Sequence, residues 1–209
     1  MSLTIFGIAR TRTSRVLWMA EELGVPYQHE KVAPATGDTR TPAFLARNPM
    51  GRVPAIDDDG LVVWESLAIN LHLARKYGQA SGLGARDAGE EALLGQWTIW
   101  AATELEPFTH VVQVHSFNLP AEQRDPAAID AALSALGRPL GALEVALRKG
   151  GGHLVGGRFT VADLNVMTII FYLRTRLDAL SGYPHVAVWY HQVTERAAYQ
   201  RMIALREAP

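Results

Sequence analysis

Two short stretches place polar groups where backbone chemistry is exposed. In Glu65-Ser66, an acid and a hydroxyl stand where an apolar run gives way to a helical pattern. The first amides of a helix lack intrahelical partners and carry partial positive charge, so they hold a carboxylate well, and a hydroxyl there adds a hydrogen bond. Glu65 could accept from an ammonium group, and the pair would then grip both ends of an α-amino acid. The plainer alternative is that Ser66 only caps the helix. The reciprocal partner of a capping box, Glu or Gln, is missing, because Ile69 stands there. In Asn48-Pro49-Met50-Gly51-Arg52-Val53-Pro54, turn residues lead into a proline at the start of an apolar run. Such a proline cannot donate to a sheet ladder and belongs at a first or edge position. A cis Val53–Pro54 bond would turn the Val53 N–H and C=O outward, to pair with an extended peptide as another strand would. An ordinary trans proline at a strand entrance is the alternative.

A third stretch, Ala9 to Ser14, is polar and carries the hydroxyls of Thr11, Thr13 and Ser14. The chain has no cysteine, which excludes disulfides, a cysteine nucleophile and thiolate metal sites. Any thiol chemistry therefore needs sulfur that arrives with a ligand. The seven histidines show no H-x-x-x-H or H-E-x-x-H spacing, and His110 and His115 do not share a helical face, so no metal is expected. No G-x-G-x-x-G and no P-loop occurs, which argues against nucleotides. The net charge of −1 carries no nucleic-acid footprint. The start of the chain lacks a basic leader, and the longest apolar run, Leu164 to Leu173, is far short of the roughly 20 residues a membrane helix needs. A soluble, cytoplasmic protein is the expectation.

These groups need elements to position them. Leu3 to Ile8 reads as a strand, Arg15 to Leu23 as a helix stopped by Gly24 and Pro26, and Tyr27 to Val32 as a second strand. A short helix follows at Pro42 to Ala46. Val53 to Ile56 and Leu61 to Trp64 flank Asp59-Gly60, a strong hairpin signal, before a helix over Leu67 to Tyr77. Residues 1–80 thus form an α/β unit with a mixed sheet. Gln79 to Arg86, rich in Gly, Ala and Ser, reads as a linker, and residues 87–209 as an all-helical domain. Its helices are expected over Asp87 to Phe117 with a kink at Pro107, Ile129 to Lys149, Val161 to Arg174, Val186 to Glu195 and Ala198 to Ala204. Thr160-x-x-Asp163 before an apolar run is a capping box, a structural feature whose loss should cost about 0.5–2 kcal/mol, or more in a core helix.

The combination of motifs is more specific than its parts. Asn48-Pro49-Met50-Gly51-Arg52-Val53-Pro54-Ala55-Ile56, a hairpin, then Glu65-Ser66-Leu67-Ala68-Ile69-Asn70-Leu71-His72-Leu73 resembles the N-terminal domain of glutathione transferases. Arg15 to Gln28 is similar to that family's first helix and following strand, and Gly156 to Val166 to its buried capping box. The resemblance spans essentially the whole chain. It implies a thioredoxin-like N-terminal domain with a four-stranded mixed sheet, an all-helical C-terminal domain, and a homodimer. It further implies a cis Pro54, Val53 paired with the cysteinyl backbone of glutathione, and Glu65 and Ser66 on its γ-glutamyl end.

Family members that use serine often read S-x-x-x-R-V where this chain reads Thr11-Arg12-Thr13-Ser14-Arg15-Val16. Thr11 thus stands at the serine position, a departure that keeps the hydroxyl donor but restricts its rotamer. Thr11 is the first candidate to hold the thiolate, Ser14 the second and Thr13 the third. Arg52 is the best placed of Arg10, Arg12, Arg40 and Arg52 for the glycyl carboxylate. An electrophile pocket is expected between the domains, with Trp97, Trp100, Thr103, Glu104 and Phe108 as lining candidates. The activity so implied is transfer of a small hydrophobic electrophile to glutathione, used as co-substrate. Glutathione-dependent isomerisation or dehalogenation, and a non-catalytic binding protein of the same fold, are the alternatives.

Overall fold

The computed structural model describes residues 2–207. They divide into two compact units, one running to Ala85 and resuming at Glu195, the other spanning Arg86–Thr194.

The first unit is built on a four-stranded sheet of order β2-β1-β3-β4, made of β1 (Leu3–Phe6), β2 (Gln28–Glu30), β3 (Ala55–Asp58) and β4 (Leu61–Trp64). β1 runs parallel to β2 and antiparallel to β3, with Ile5 opposite Ile56, and β3 pairs antiparallel with β4. The hairpin turns through Asp59 and Gly60 at φ 54° and 89°, the positive pair that a two-residue turn matched to strand twist requires. Strand alternation gives the sheet two apolar faces. Phe6 and Ala55 join Val32 and Phe44 in one cluster, against which Val53 packs. Phe44 belongs to α2 (Pro42–Leu45), whose N-cap Thr41 accepts from the Phe44 amide. The opposite face packs against α1 (Thr13–Leu23) and α3 (Ser66–Tyr77). Across α1, Val16, Leu17, Trp18, Met19 and Ala20 are all buried.

The second strand is shorter than the Tyr27–Val32 expected from the sequence. Pro26 lacks an amide for the ladder, and Val32 turns into the Phe44 cluster instead.

A buried carboxylate ties the β3–β4 hairpin to α3. Asp58, 1 % exposed, accepts from His72 Nε2 at 2.7 Å, Lys76 Nζ at 2.8 Å and the Tyr77 hydroxyl at 2.5 Å. Burial pushes its carboxyl up, but the hydrogen bonds from Lys76, Tyr77 and His72 outweigh this and hold it below the usual aspartate range. A group with a depressed folded-state pKa contributes stability above its unfolded value, and that contribution is lost as pH falls through the folded value. Asp58→Asn should therefore lower stability at neutral pH by about 1.5–3 kcal/mol, the scale of hydrogen bonds to a charged group. The gap from the parent should close in acid below the carboxylate range. Urea unfolding at neutral pH and in acid checks both halves.

The second unit is helical: α4 (Ala88–Trp100), α5 (Glu106–Gln113), α6 (Pro126–Ala135), α7 (Gly137–Lys149), α8 (Val161–Ile170) and α9 (Pro184–Thr194). The break between α4 and α5 is a π-helical turn at Ala101–Leu105, where the Glu106 amide reaches back to the Ala101 carbonyl. Pro107 has no amide to offer the Thr103 carbonyl and its ring crowds that oxygen, so the ladder widens just before it. The sequence pattern of Ile129–Lys149 reads as one helix. The chain instead starts at Pro126 and re-caps at Leu136, because Pro139 interrupts the amide ladder in the first turn of α7. α8 is buried at every position, and its start is held by Thr160 and Asp163 in a reciprocal box.

The last helix, α10 (Ala197–Glu207), differs from the sequence expectation, which places it with the helical domain. It packs on α1, in the first unit. Trp18 meets Tyr199 edge-to-face at 5.1 Å. Arg196 binds Glu22 through two bonds of 2.7 Å, and Arg201 reaches Glu21 at 2.6 Å. These partners lie more than 170 positions apart in sequence, so no local pattern announces them.

Candidate functional site

The Ala9–Ser14 stretch forms the turn from β1 into α1. The helix begins at Thr13, two residues earlier than its apolar pattern, and no side chain caps it in the usual way. The hydroxyls instead form a ladder along the turn. Thr11 Oγ1 accepts from the Thr13 amide at 3.2 Å and lies 2.7 Å from the Ile8 carbonyl, to which it donates. Thr13 Oγ1 is 2.9 Å from Thr11 Oγ1. With the Thr11 proton on Ile8, Thr13 is the donor of that pair. Thr13 is fully buried and stands behind Thr11 in this ladder. Ser14 donates to the Thr11 carbonyl at 3.0 Å and accepts from Arg206 Nη1 at 3.2 Å. Thr11 is thus the one of the three hydroxyls that is only partly buried.

Gly7 brings this turn against the proline segment. It sits at φ 136°, and a β-carbon there would lie 3.0 Å from Val53 Cβ and collide with Thr13 Oγ1. Glycine is what lets the two segments approach. On the far side, buried Asn48 shapes the turn: its Nδ2 donates to the Arg52 carbonyl at 2.6 Å and its Oδ1 accepts from the Met50 amide at 3.0 Å. The Val53–Pro54 bond is cis, as the resemblance implied. The sheet ladder begins at Ala55, and Val53's N–H and C=O make no other hydrogen bond among the described residues.

Glu65 and Ser66 occupy the β4–α3 junction. Ser66 is the first residue of α3, not its cap, and the side chain of the cap residue Glu65 makes no capping bond. The plain capping alternative therefore does not describe Ser66. Its buried hydroxyl accepts instead from Arg15 Nη1 at 3.4 Å. Glu65 is exposed and has φ 71°, ψ 109°. A non-glycine residue in that region costs on the order of 1–3 kcal/mol, and such residues cluster at ligand-holding positions.

Arg15 is the residue that sequence reasoning missed. It is 3 % exposed, and its carbonyl accepts from Asn70 Nδ2 at 3.4 Å, so its guanidinium and backbone bind α1 to α3 beside Ser66. The available signal was a charge at the head of the unbroken apolar run Val16–Ala20. Of the proposed glycyl-carboxylate arginines, Arg40 and Arg52 are both exposed. The Arg40 guanidinium lies against Gly51, where a β-carbon would fall 2.8 Å from Nη1. Arg10 and Arg12 belong to the hydroxyl turn between β1 and α1.

In the second unit, Trp97 and Trp100 stack edge-to-face at 4.9 Å. Trp100, Thr103 and Glu104 border a groove with Arg138 and Pro139, while Phe108 is partly buried on α5. Among the described residues, no group of three or more His, Asp or Glu is placed to hold a metal ion, and no helix is long and apolar enough to cross a membrane.

Comparison with known proteins matches residues 1–75 to the profile for the glutathione S-transferase N-terminal domain and residues 108–197 to that for its C-terminal domain. Glutathione S-transferase GstB of Escherichia coli K12 is 32 % identical over 197 residues, covering 93 % of this chain and 94 % of that protein. A theta-class glutathione S-transferase from Xanthomonas axonopodis pv. citri, solved with glutathione bound, superposes with a TM-score of 0.86 at 34 % identity, covering 96 % of each chain. Glutathione transferase F2 of Populus trichocarpa superposes at 0.91 with 25 % identity, covering 99 % of this chain and 100 % of that one. With the sheet order, the helical second unit and full-length identity above three in ten all in agreement, the chain belongs to the glutathione S-transferase family.

Proposed function

We propose that the protein binds glutathione along the Val53 backbone and ionises its thiol at Thr11 for attack on a small hydrophobic electrophile. The observation that carries this reading is Val53. Its N–H and C=O stand outside the ladder, Gly7 holds the hydroxyl turn against its side chain, and both lie in the same unit as Glu65 and Ser66. An extended peptide pairing with Val53 has main-chain bonds for affinity and end groups for register. Ser66, with the start of α3 and the guanidinium of Arg15 behind it, supplies positive potential for the γ-glutamyl carboxylate. Glu65 accepts from its ammonium. Arg52, with Arg40, serves the glycyl end.

The energetics are of the right size. A cysteine-like thiol has a pKa near about 8.5, and lowering it by about two units takes ~2.7 kcal/mol of preferential anion stabilisation. A hydrogen bond to a charged group supplies about 1.5–3 kcal/mol and a helix start about 0.3–1 kcal/mol. Thr11 at the mouth of α1 offers both, once its proton swings from the Ile8 carbonyl to the sulfur. Thr13, donating into Thr11, polarises that bond. The attacking sulfur belongs to the ligand, so no covalent enzyme intermediate is needed and catalysis is proximity plus thiolate stabilisation.

The same reading includes a cytoplasmic homodimer that detoxifies such electrophiles. What supports a dimer is the apolar surface of the edge strand β4, where Leu61 and Trp64 are 52 % and 38 % exposed, with Met50 at 51 %. Edge strands of this character are normally covered.

Retention on immobilised glutathione together with conjugation of a generic aryl halide tests the function. Both are expected. No association with glutathione at millimolar concentration by calorimetry would overturn it. Recovery of unconsumed thiol alongside product would assign isomerisation instead.

A further inference from the structure

A cavity of about 390 Å3 opens beside the hydroxyl turn, within the first unit. Ile8, Ala9 and Leu205 give it apolar walls, and Arg10, His29, Lys31 and Arg206 its polar ones. Its size falls in the ordinary range for small-ligand pockets. Among the described residues that line it, three are permanent cations and none is a carboxylate. The adjacent acids Glu30 and Glu207 are not among its lining residues. The whole chain carries a net charge of −1, so this excess is local.

The polar wall is built rather than loose. Arg206 Nη1 donates to the Ala9 carbonyl at 3.1 Å and to Ser14 Oγ at 3.2 Å. Arg10 Nε donates to the Arg206 carbonyl at 3.2 Å, and His29 Nε2 donates to the Gly7 carbonyl at 2.7 Å. Among the described residues, neither Arg10 nor Lys31 has a carboxylate within ion-pair distance. The cavity also shares Ile8 with Thr11, whose hydroxyl rests on the Ile8 carbonyl, so a ligand seated there lies beside the proposed thiolate. The cations proposed above for the glycyl carboxylate, Arg40 and Arg52, are not among the cavity's lining residues.

We infer that this cavity receives the electrophile and that its preferred substrates carry a carboxylate, bound by Arg10, Lys31 and Arg206, on a small apolar body. The inference rests on the reading of Thr11 as the thiol site. In the substitution case, the thiol proton passes to solvent and the thiolate forms a C–S bond. The carbon–halogen bond breaks, the halide leaves with the bonding pair, and the carboxylate is unchanged.

The test uses two probe pairs on the full-length protein. Unreactive 3,5-dinitrobenzoate and its amide report binding by calorimetry, and 4-chloro-3,5-dinitrobenzoate and its amide report conjugation. The acid should be preferred in both. Lys31→Gln and Arg10→Gln, at exposed positions, should each cut that preference about two- to fivefold, the scale of a partly solvated charge contact. Arg10→Lys should restore most of it. Equal handling of acid and amide by the parent protein, or a preference untouched by both variants, would overturn the inference. So would a rise in KM for glutathione with the acid preference intact, because the cavity would then serve the glycyl end. Absence of conjugation with either probe, with selective acid binding retained, strikes the catalytic reading alone and supports the anion site.

Discussion

Asp163→Ala should leave the protein barely folded. The sequence shows only a capping box, worth about 0.5–2 kcal/mol. The structure gives the carboxylate twice that duty. Its Oδ2 accepts from the Thr160 amide at 3.0 Å and the Thr160 hydroxyl at 3.1 Å. Its Oδ1 accepts from the Leu154 amide at 3.2 Å and Trp189 Nε1 at 3.1 Å. Asp163, Thr160 and Trp189 are all fully buried, so water cannot replace the lost oxygens. Each stranded donor costs about 1–3 kcal/mol, and three N–H groups are stranded. A total of about 3–9 kcal/mol is a large share of the 5–15 kcal/mol that typically holds a domain. Urea unfolding followed by tryptophan fluorescence measures it. A midpoint within the range of ordinary surface substitutions would show that the donors find other partners. Thr160→Ser, which keeps the hydroxyl, should stay close to the parent.

Thr11→Ala should lower kcat/KM for glutathione conjugation about 10–100-fold, the scale of one lost donor to developing charge. A second readout separates this from structural damage. If Thr11 holds the thiolate, removing about 1.5–3 kcal/mol of anion stabilisation raises the thiol pKa in the complex by about 1–2 units. The rising limb of the pH–rate profile then moves to higher pH, because less thiolate is present at any given pH. A variant that only loosens the turn would lose rate without moving the limb. Thr11→Ser should keep both rate and limb. Thr13→Val, which removes the hydroxyl behind Thr11, should shift the limb in the same direction by a smaller amount. Unchanged kinetics in Thr11→Ala would remove that hydroxyl from the mechanism.

The sheet and the motifs at its edge were legible because each has a short-range cause. Asp59-Gly60 fixes the hairpin through two positive φ values, and Thr160-x-x-Asp163 fixes a helix start through bonds three residues apart. The helix breaks at Pro107 and Pro139 follow from a missing amide, although the sequence marks only the first. The proline at Pro139 stands inside an otherwise helical pattern, and only the structure shows that the chain re-caps there. Other parts of the site were illegible for a physical reason. Arg15 reads as a helix-surface charge until Ser66, 51 positions away, is seen against it. Arg206 meets Ser14 across 192 positions, and His29 meets Gly7 across the parallel β1–β2 pair, 22 positions apart in sequence. Periodicity reports which face of an element is apolar. It does not report which distant element will cover that face.

The docking of α10 on α1 has a consequence for biogenesis. Trp18, Glu21 and Glu22 wait for Tyr199, Arg201 and Arg196, so the flank of α1 that α10 covers stays bare until the intervening helices have emerged from the ribosome. Contacts of such sequence separation form late. The nascent chain therefore carries that exposed flank across the synthesis of the whole second unit, and the first unit is finished only when α10 arrives.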